Sequence, residues 1–183
     1  MNAKDLRPPV VHQLVAAALL GLLLLGAGAA QAAPFAYITN SLSNQVSVLD
    51  IATNTVVASV PVPSNPQMVA LNPEGTRAYV PSYDANNVSV IDTGTNAIIA
   101  TVPVGARPFG VAINPAGTRA YVTNNGAYTV SVIDTTANTV VATIPVPAYP
   151  LQVAINPAGT RAYVVNGLLV NGVGDSISVA TTF

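Results

Sequence analysis

The chain has 183 residues, is about half apolar, and carries only 7% charged residues with a formal net charge of −1. An average globular domain carries roughly a quarter, so no basic surface exists to hold a phosphate backbone, and nucleic acid is excluded as a partner. There is no cysteine and the single histidine is His12, which removes disulfides, thiolate metal sites and cysteine nucleophiles. Beyond residue 12 it also removes the commonest general base and transition-metal ligand.

Residues 1–13 hold Lys4 and Arg7, residues 14–30 are uncharged and rich in Leu, Ala and Gly, and Ala30-Gln31-Ala32 places small residues where a signal peptidase needs them. This three-part pattern predicts a secretory signal over residues 1–32, cleaved after Ala32. The alternative is a retained anchor, but a run of 17 residues is shorter than the roughly 20 a helical span requires. The expected location is therefore outside the cytoplasm: periplasm, cell surface or medium, with no stable membrane span once the leader is gone. The remaining chain, residues 33–183, has four arginines, no lysine and six acids.

Beyond the leader the chain repeats. Tyr37, Tyr79, Tyr121 and Tyr163 recur every 42 residues, Asp50, Asp92 and Asp134 keep the same phase, and so do Asn72-Pro73, Asn114-Pro115 and Asn156-Pro157. Each unit holds four short runs rich in Val, Ile, Ala and Thr, parted by Asn, Pro, Gly and Asp, the pattern of strands and tight turns. In the second unit the runs Gln67–Leu71, Arg77–Val80, Val88–Asp92 and Ile98–Val104 predict strands A, B, C and D. Four strands in such a period make one propeller blade. The A–B link, Asn-Pro-x-Gly-Thr, sets φ with Pro and accepts a positive φ at Gly.

Counting from Tyr37 gives B, C and D, then two full sets of four, then A, B and a C-like run at Ile177–Thr181. That is fourteen strands. The fold class is all-β: a partial β-propeller of four-stranded antiparallel blades, about three and a half of them. Each blade needs neighbours on both faces, so an isolated open arc is expected to be unstable. The degenerate end, with Thr181 where the other units have Asp, suggests a truncated reading frame. Completion of the ring by another copy, and an arc with capped ends, are the alternatives.

Ala120-Tyr121-Val122-Thr123-Asn124, preceded by Asn114-Pro115-Ala116-Gly117-Thr118-Arg119 and followed by Val130-Ser131-Val132-Ile133-Asp134, resembles the YVTN family of β-propeller repeats. The likeness extends over residues 35–183, with variants Tyr37-Ile38-Thr39-Asn40, Tyr79-Val80-Pro81-Ser82 and Tyr163-Val164-Val165-Asn166. It implies secreted or surface-layer proteins whose rings commonly have seven blades, and it identifies a scaffold better than a function.

Within the blades, Arg77 and Arg119 open strand B where Asp92 and Asp134 close strand C, and antiparallel pairing predicts an ion pair at one rim. Arg161 meets Thr181 instead. The repeated tyrosines are read as packed residues, and Ser89 and Ser131 as alternating strand residues with no histidine to activate them.

The other rim gathers the D–A and B–C loops, where the repeats differ: Asn65, Arg107 and Tyr149 at one station, Tyr83 and Asp84 or Tyr128 at another, and an apolar insertion with Leu168 and Leu169. Variable loops on a fixed scaffold mark a recognition surface, and Tyr and Arg are favoured contact residues. Asp175 stands alone among glycines, too few oxygens for calcium, and Asn87-Val88-Ser89 is read as a chance sequon.

The expected function is a non-catalytic scaffold for protein or glycan binding or surface assembly through this rim, with no cofactor, no metal and no catalytic residue. A second reading is an enzyme like the lactonases and periplasmic dehydrogenases among similar propellers, though no carboxylates converge here for it. A third is a structural layer component polymerising by strand addition at open blade edges.

Overall fold

The computed structural model describes residues 35–147, 149–167 and 176–181; the leader lies outside them. The described residues form fourteen strands and no helix. They are β1 (Phe35–Asn40), β2 (Gln45–Asp50), β3 (Thr55–Pro61), β4 (Ala70–Leu71), β5 (Arg77–Ser82), β6 (Asn87–Asp92), β7 (Ala97–Pro103), β8 (Pro108–Ile113), β9 (Arg119–Asn124), β10 (Thr129–Asp134), β11 (Thr139–Pro145), β12 (Pro150–Ile155), β13 (Arg161–Asn166) and β14 (Ser176–Thr181). They group as four antiparallel sheets in simple meander order, with three, four, four and three strands. The fold is the expected all-β partial propeller, with blade 1 at β1–β3, blade 2 at β4–β7, blade 3 at β8–β11 and blade 4 at β12–β14.

The two-residue alternation of each strand sends one set of side chains to the following blade and the other to the preceding one. Tyr37, Val46, Val48 and Val60 pack on Ala78, Val80 and Ile91 of blade 2. The same positions one repeat later, Tyr79, Val88, Val90 and Val102, pack on Ala120, Val122 and Ile133. Tyr121, Val130, Val132 and Ile144 then meet Ala162 and Val164. Each seam is a packed layer of small and branched side chains, worth about 1.5–3 kcal/mol per fully buried Val or Ile. On blade 4, Tyr163 and its same-face neighbour Val165 are 37% and 39% exposed.

Polar clasps cross two of the seams. Thr39 Oγ1 donates to the Gln67 carbonyl at 2.5 Å, and Thr123 Oγ1 donates to the Leu151 carbonyl at 2.8 Å. Blade 3 comes so close to blade 4 there that a Cβ on Gly110 would fall 2.4 Å from the Leu151 oxygen. In blade 2 the clasp position is Pro81, which has neither hydroxyl nor N–H. Strand A of that blade consequently shrinks to Ala70–Leu71 instead of starting at Gln67, with only an isolated bridge from Pro66 to Ser82 beyond it.

A second departure sits beside it. Asn40 Nδ2 donates to Ser47 Oγ and Asn124 Nδ2 to Ser131 Oγ, both at 2.8 Å. Ser82 is too short to do the same, and the buried hydroxyls of Ser82 and Ser89 are left without a protein partner.

Candidate functional site

Turns of like sequence close one rim of every blade. Asn72, Asn114 and Asn156 accept through Oδ1 from the N–H of Arg77, Arg119 and Arg161 at 2.8–3.0 Å. Gly75, Gly117 and Gly159 supply the left-handed step with φ of 68–70°. Asp50, Asp92 and Asp134 turn a carboxylate oxygen onto the N–H groups of the C–D turns. Those hydrogen bonds, from Thr95 to Asp92 and from Ala137 and Thr136 to Asp134, hold both carboxyls below the usual range, with Arg77 and Arg119 adding smaller pulls.

The expected Arg119–Asp134 pair forms, at 2.7 Å, and is the single ion pair among the described residues. The expected Arg77–Asp92 pair does not. The two residues are opposite each other in the ladder, but Arg77 Nη1 reaches past it to the Thr135 carbonyl of blade 3 at 2.6 Å, and Asp92 is taken by the hydroxyl and N–H of Thr95, both at 2.8 Å. Arg161 stands opposite Thr181, as the repeat predicts.

At the other rim the B–C and D–A loops meet. The N–H of Tyr83 donates to the Asn65 carbonyl, that of Asn125 to Arg107 and that of Gly167 to Tyr149, at 2.9–3.0 Å. Two residues per repeat are left-handed here: Asn44, Asn86 and Tyr128 in the B–C loops, and Asn65, Arg107 and Tyr149 in the D–A loops, with φ of 52–60°.

In the first two repeats the pair is self-supporting. Asn44 Oδ1 accepts from the Asn65 N–H at 2.8 Å, and Asn86 Oδ1 from the Arg107 N–H at 2.9 Å. In the third repeat tyrosines stand at both places, and ring contact replaces the side-chain hydrogen bond. Tyr128 and Tyr149 meet edge to face with centroids 5.1 Å apart and planes at 70°.

Side chains follow from that frame. The Arg107 guanidinium lies over the Tyr83 ring, 5.8 Å from its centroid, and the arginine stem runs so close to Gly126 that a Cβ there would sit 2.9 Å from Arg107 Cδ. Tyr83 also meets Phe109 edge to face at 6.4 Å. Phe109 escapes notice in sequence because it opens strand A, and only the curl of the B–C loop over it reveals the contact. The Tyr128 phenol is raised above its usual pKa, first by its closeness to the Tyr149 phenol, while the nearby Arg107 charge pulls the other way.

Of the residues singled out in sequence, Tyr83 and Arg107 form one arm, Tyr128 and Tyr149 a second. Asp84 is exposed and makes no ion pair among the described residues. Asn65 is spent on the fold, its amide side chain accepting from Gln67 at 2.6 Å. Leu168, Leu169 and Asp175 lie outside the described residues. Among the described residues no three of His, Cys, Asp and Glu gather as a metal site. Asn87-Val88-Ser89 lies inside β6 with Ser89 fully buried.

A family model described as the YNCE-like beta-propeller matches residues 25–119. Among solved structures, Kuenenia stuttgartiensis hydrazine synthase is similar at 29% identity with a TM-score of 0.76, over 80% of this chain and 42% of that one. A functionally unknown protein from Desulfotomaculum acetoxidans aligns at 19% identity with a TM-score of 0.65, over 72% of this chain and 45% of that one, a likeness of fold. The chain thus spans less than half the length of either structure. No curated protein matches it.

Proposed function

The chain belongs to the YNCE-like β-propeller family, and from that premise we propose that it is an exported, non-catalytic scaffold binding a protein or glycan through its D–A and B–C rim. The observation that carries this reading is the occupancy of the left-handed rim positions. A left-handed backbone costs a non-glycine residue about 1–2 kcal/mol, and Asn bears it best. Asn fills those positions in the first repeat, yet Arg107, Tyr128 and Tyr149 fill them later, each displaying a contact side chain on a strained backbone. Strain of that kind collects where ligands bind.

Export rests on the leader pattern, and the YVTN-like repeat supports a secreted or surface-layer setting. The absence of catalysis rests on composition: beyond His12 the chain offers no histidine and no cysteine, and Asp50, Asp92 and Asp134 are engaged in turns. Self-association adding blades is part of the same reading. Light scattering on the full chain should then give a discrete β-rich oligomer, and a stable folded monomer would remove this part.

The rim itself is tested by binding of the full chain to isolated cell envelopes. The double variant Arg107→Asn/Tyr149→Asn, which borrows the residue of position 65, should bind at least about tenfold more weakly. Undiminished binding would refute the rim.

A further inference from the structure

We propose that the ligand at this rim is an acidic saccharide, one bearing a carboxylate or sulfate, seated between Arg107 and the Tyr128–Tyr149 corner; this rests on the rim reading above. Charge comes first. Arg77 and Arg119 are committed to the opposite rim, through the Thr135 carbonyl and Asp134, and Arg161 opens β13 on that same side. Arg107 is the one cation of the loop rim among the described residues. It is exposed, forms no ion pair, and its guanidinium makes no hydrogen bond to the protein among those residues. Its five N–H donors therefore remain free for an anion, and their planar fork matches a carboxylate or sulfate edge.

Preorganisation comes second. The Arg107 N–H is held by Asn86 Oδ1 at 2.9 Å, its carbonyl accepts from Asn125 at 2.9 Å, and its stem is trapped between Gly126 and the Tyr83 ring. A long side chain pinned before the ligand arrives loses little freedom on binding.

The aromatic arm comes third. Tyr128 and Tyr149 are each 41% exposed and stand nearly perpendicular, presenting a ring face and hydroxyls together. That combination suits a sugar, whose C–H face packs on an aromatic ring while its hydroxyls take hydrogen bonds. A protein interface would centre on a larger apolar core, and in the loops flanking Arg107 these two tyrosines are the only exposed large apolar residues described.

The test uses the full-length chain in affinity electrophoresis through gels containing polygalacturonate or neutral dextran. Polygalacturonate should retard the protein, dextran should not, and the retardation should weaken with salt. Arg107→Asn should reduce the affinity about tenfold or more, Tyr128→Asn and Tyr149→Asn about fivefold. These variants reuse residues of equivalent repeats, so they keep the fold. Arg161→Gln, with the same charge change on the opposite rim, should leave retardation unaltered.

Equal retardation by both polymers, lost in Tyr128→Asn, would overturn the acidic class and keep the rim. Equal losses in Arg161→Gln and Arg107→Asn would overturn the placement. Absence of retardation by polygalacturonate overturns the inference; if envelope binding is still lost in Arg107→Asn/Tyr149→Asn, the rim reading survives it, and otherwise both fall.

Discussion

The two rims of this arc are built on the same backbone repeat and spend their sequence differently. On the A–B and C–D rim every left-handed position is Gly or Asn: Gly75, Gly117 and Gly159, then Asn54, Asn96 and Asn138. On the other rim the equivalent positions drift from Asn44 and Asn65, through Asn86 and Arg107, to Tyr128 and Tyr149. One rim follows local preference in every copy, while the other abandons it progressively along the chain. Since local rules are broken at functional or strained sites, this contrast supports the proposed binding role of the second rim.

The contrast can be broken most forcefully at its hinge. Asn86→Ala removes the acceptor for the Arg107 N–H and puts Ala on a left-handed backbone, so we expect a loss of about 2–3 kcal/mol in denaturant melts together with weakened rim binding. On the opposite rim, Gly117→Ala at φ 70° should cost about 1–2 kcal/mol while leaving rim binding intact; equal damage to binding would erase the distinction between the rims.

Tyr128→Asn should move the two properties apart. It restores the side-chain acceptor seen at Asn44 and Asn86, so thermal stability should rise by about 1 kcal/mol as binding falls. A drop in both would mean that the tyrosine pair is structural packing.

A smaller effect concerns the second blade. A Cβ on Gly105 would lie 2.6 Å from Asn124 Cγ, so the Asn124 rotamer that reaches Ser131 needs glycine at 105. The equivalent of Gly105 in the second blade is Pro63, beside Ser82. Ser82→Asn alone should therefore gain nothing. With Pro63→Gly it should show a favourable coupling of about 0.5–1 kcal/mol in a double-mutant cycle.

The least change is expected from pH. Asp92 and Asp134 have depressed pKa values in the fold, so their contribution is present above the unfolded carboxylate value and is lost as pH falls below about 4 through the folded values. Tyr37 and Tyr79 are raised from 10.0, chiefly by burial. Their contribution is present below that value and lost as pH climbs through the folded ones. Chemical melts from pH 4.5 to 9.5 should be flat, and a midpoint within that range would contradict these assignments.

Much of this was legible in the residues. The 42-residue period gave the strands, the blade count and the pairing of Arg161 with Thr181, because a meander of short strands fixes register through its turns. It also separated the rims, since adjacent strands alternate direction. What it missed lies between blades. Arg77 passes over Asp92 to Thr135 because the next blade offers a carbonyl within its reach, a distance no single repeat contains. The strained backbone at Arg107, Tyr128 and Tyr149 was hidden because neither residue type announces a left-handed turn. Alignment with Asn65, Asn44 and Asn86 would have exposed it.

Every complete C–D pairing carries the same slip, between Val48 and Leu49, Val90 and Ile91, and Val132 and Ile133. The slip leaves Val57, Ile99 and Val141 without partners and exposed. These residues interrupt β3, β7 and β11 midway, twisting the free edges of those three blades. An approaching β-strand would find only short stretches of aligned donors and acceptors on either side of the interruption. The outer edges of these blades are thus rich in β-branched residues yet poor templates for strand addition, and the proposed self-association would run through the blade faces and the loops.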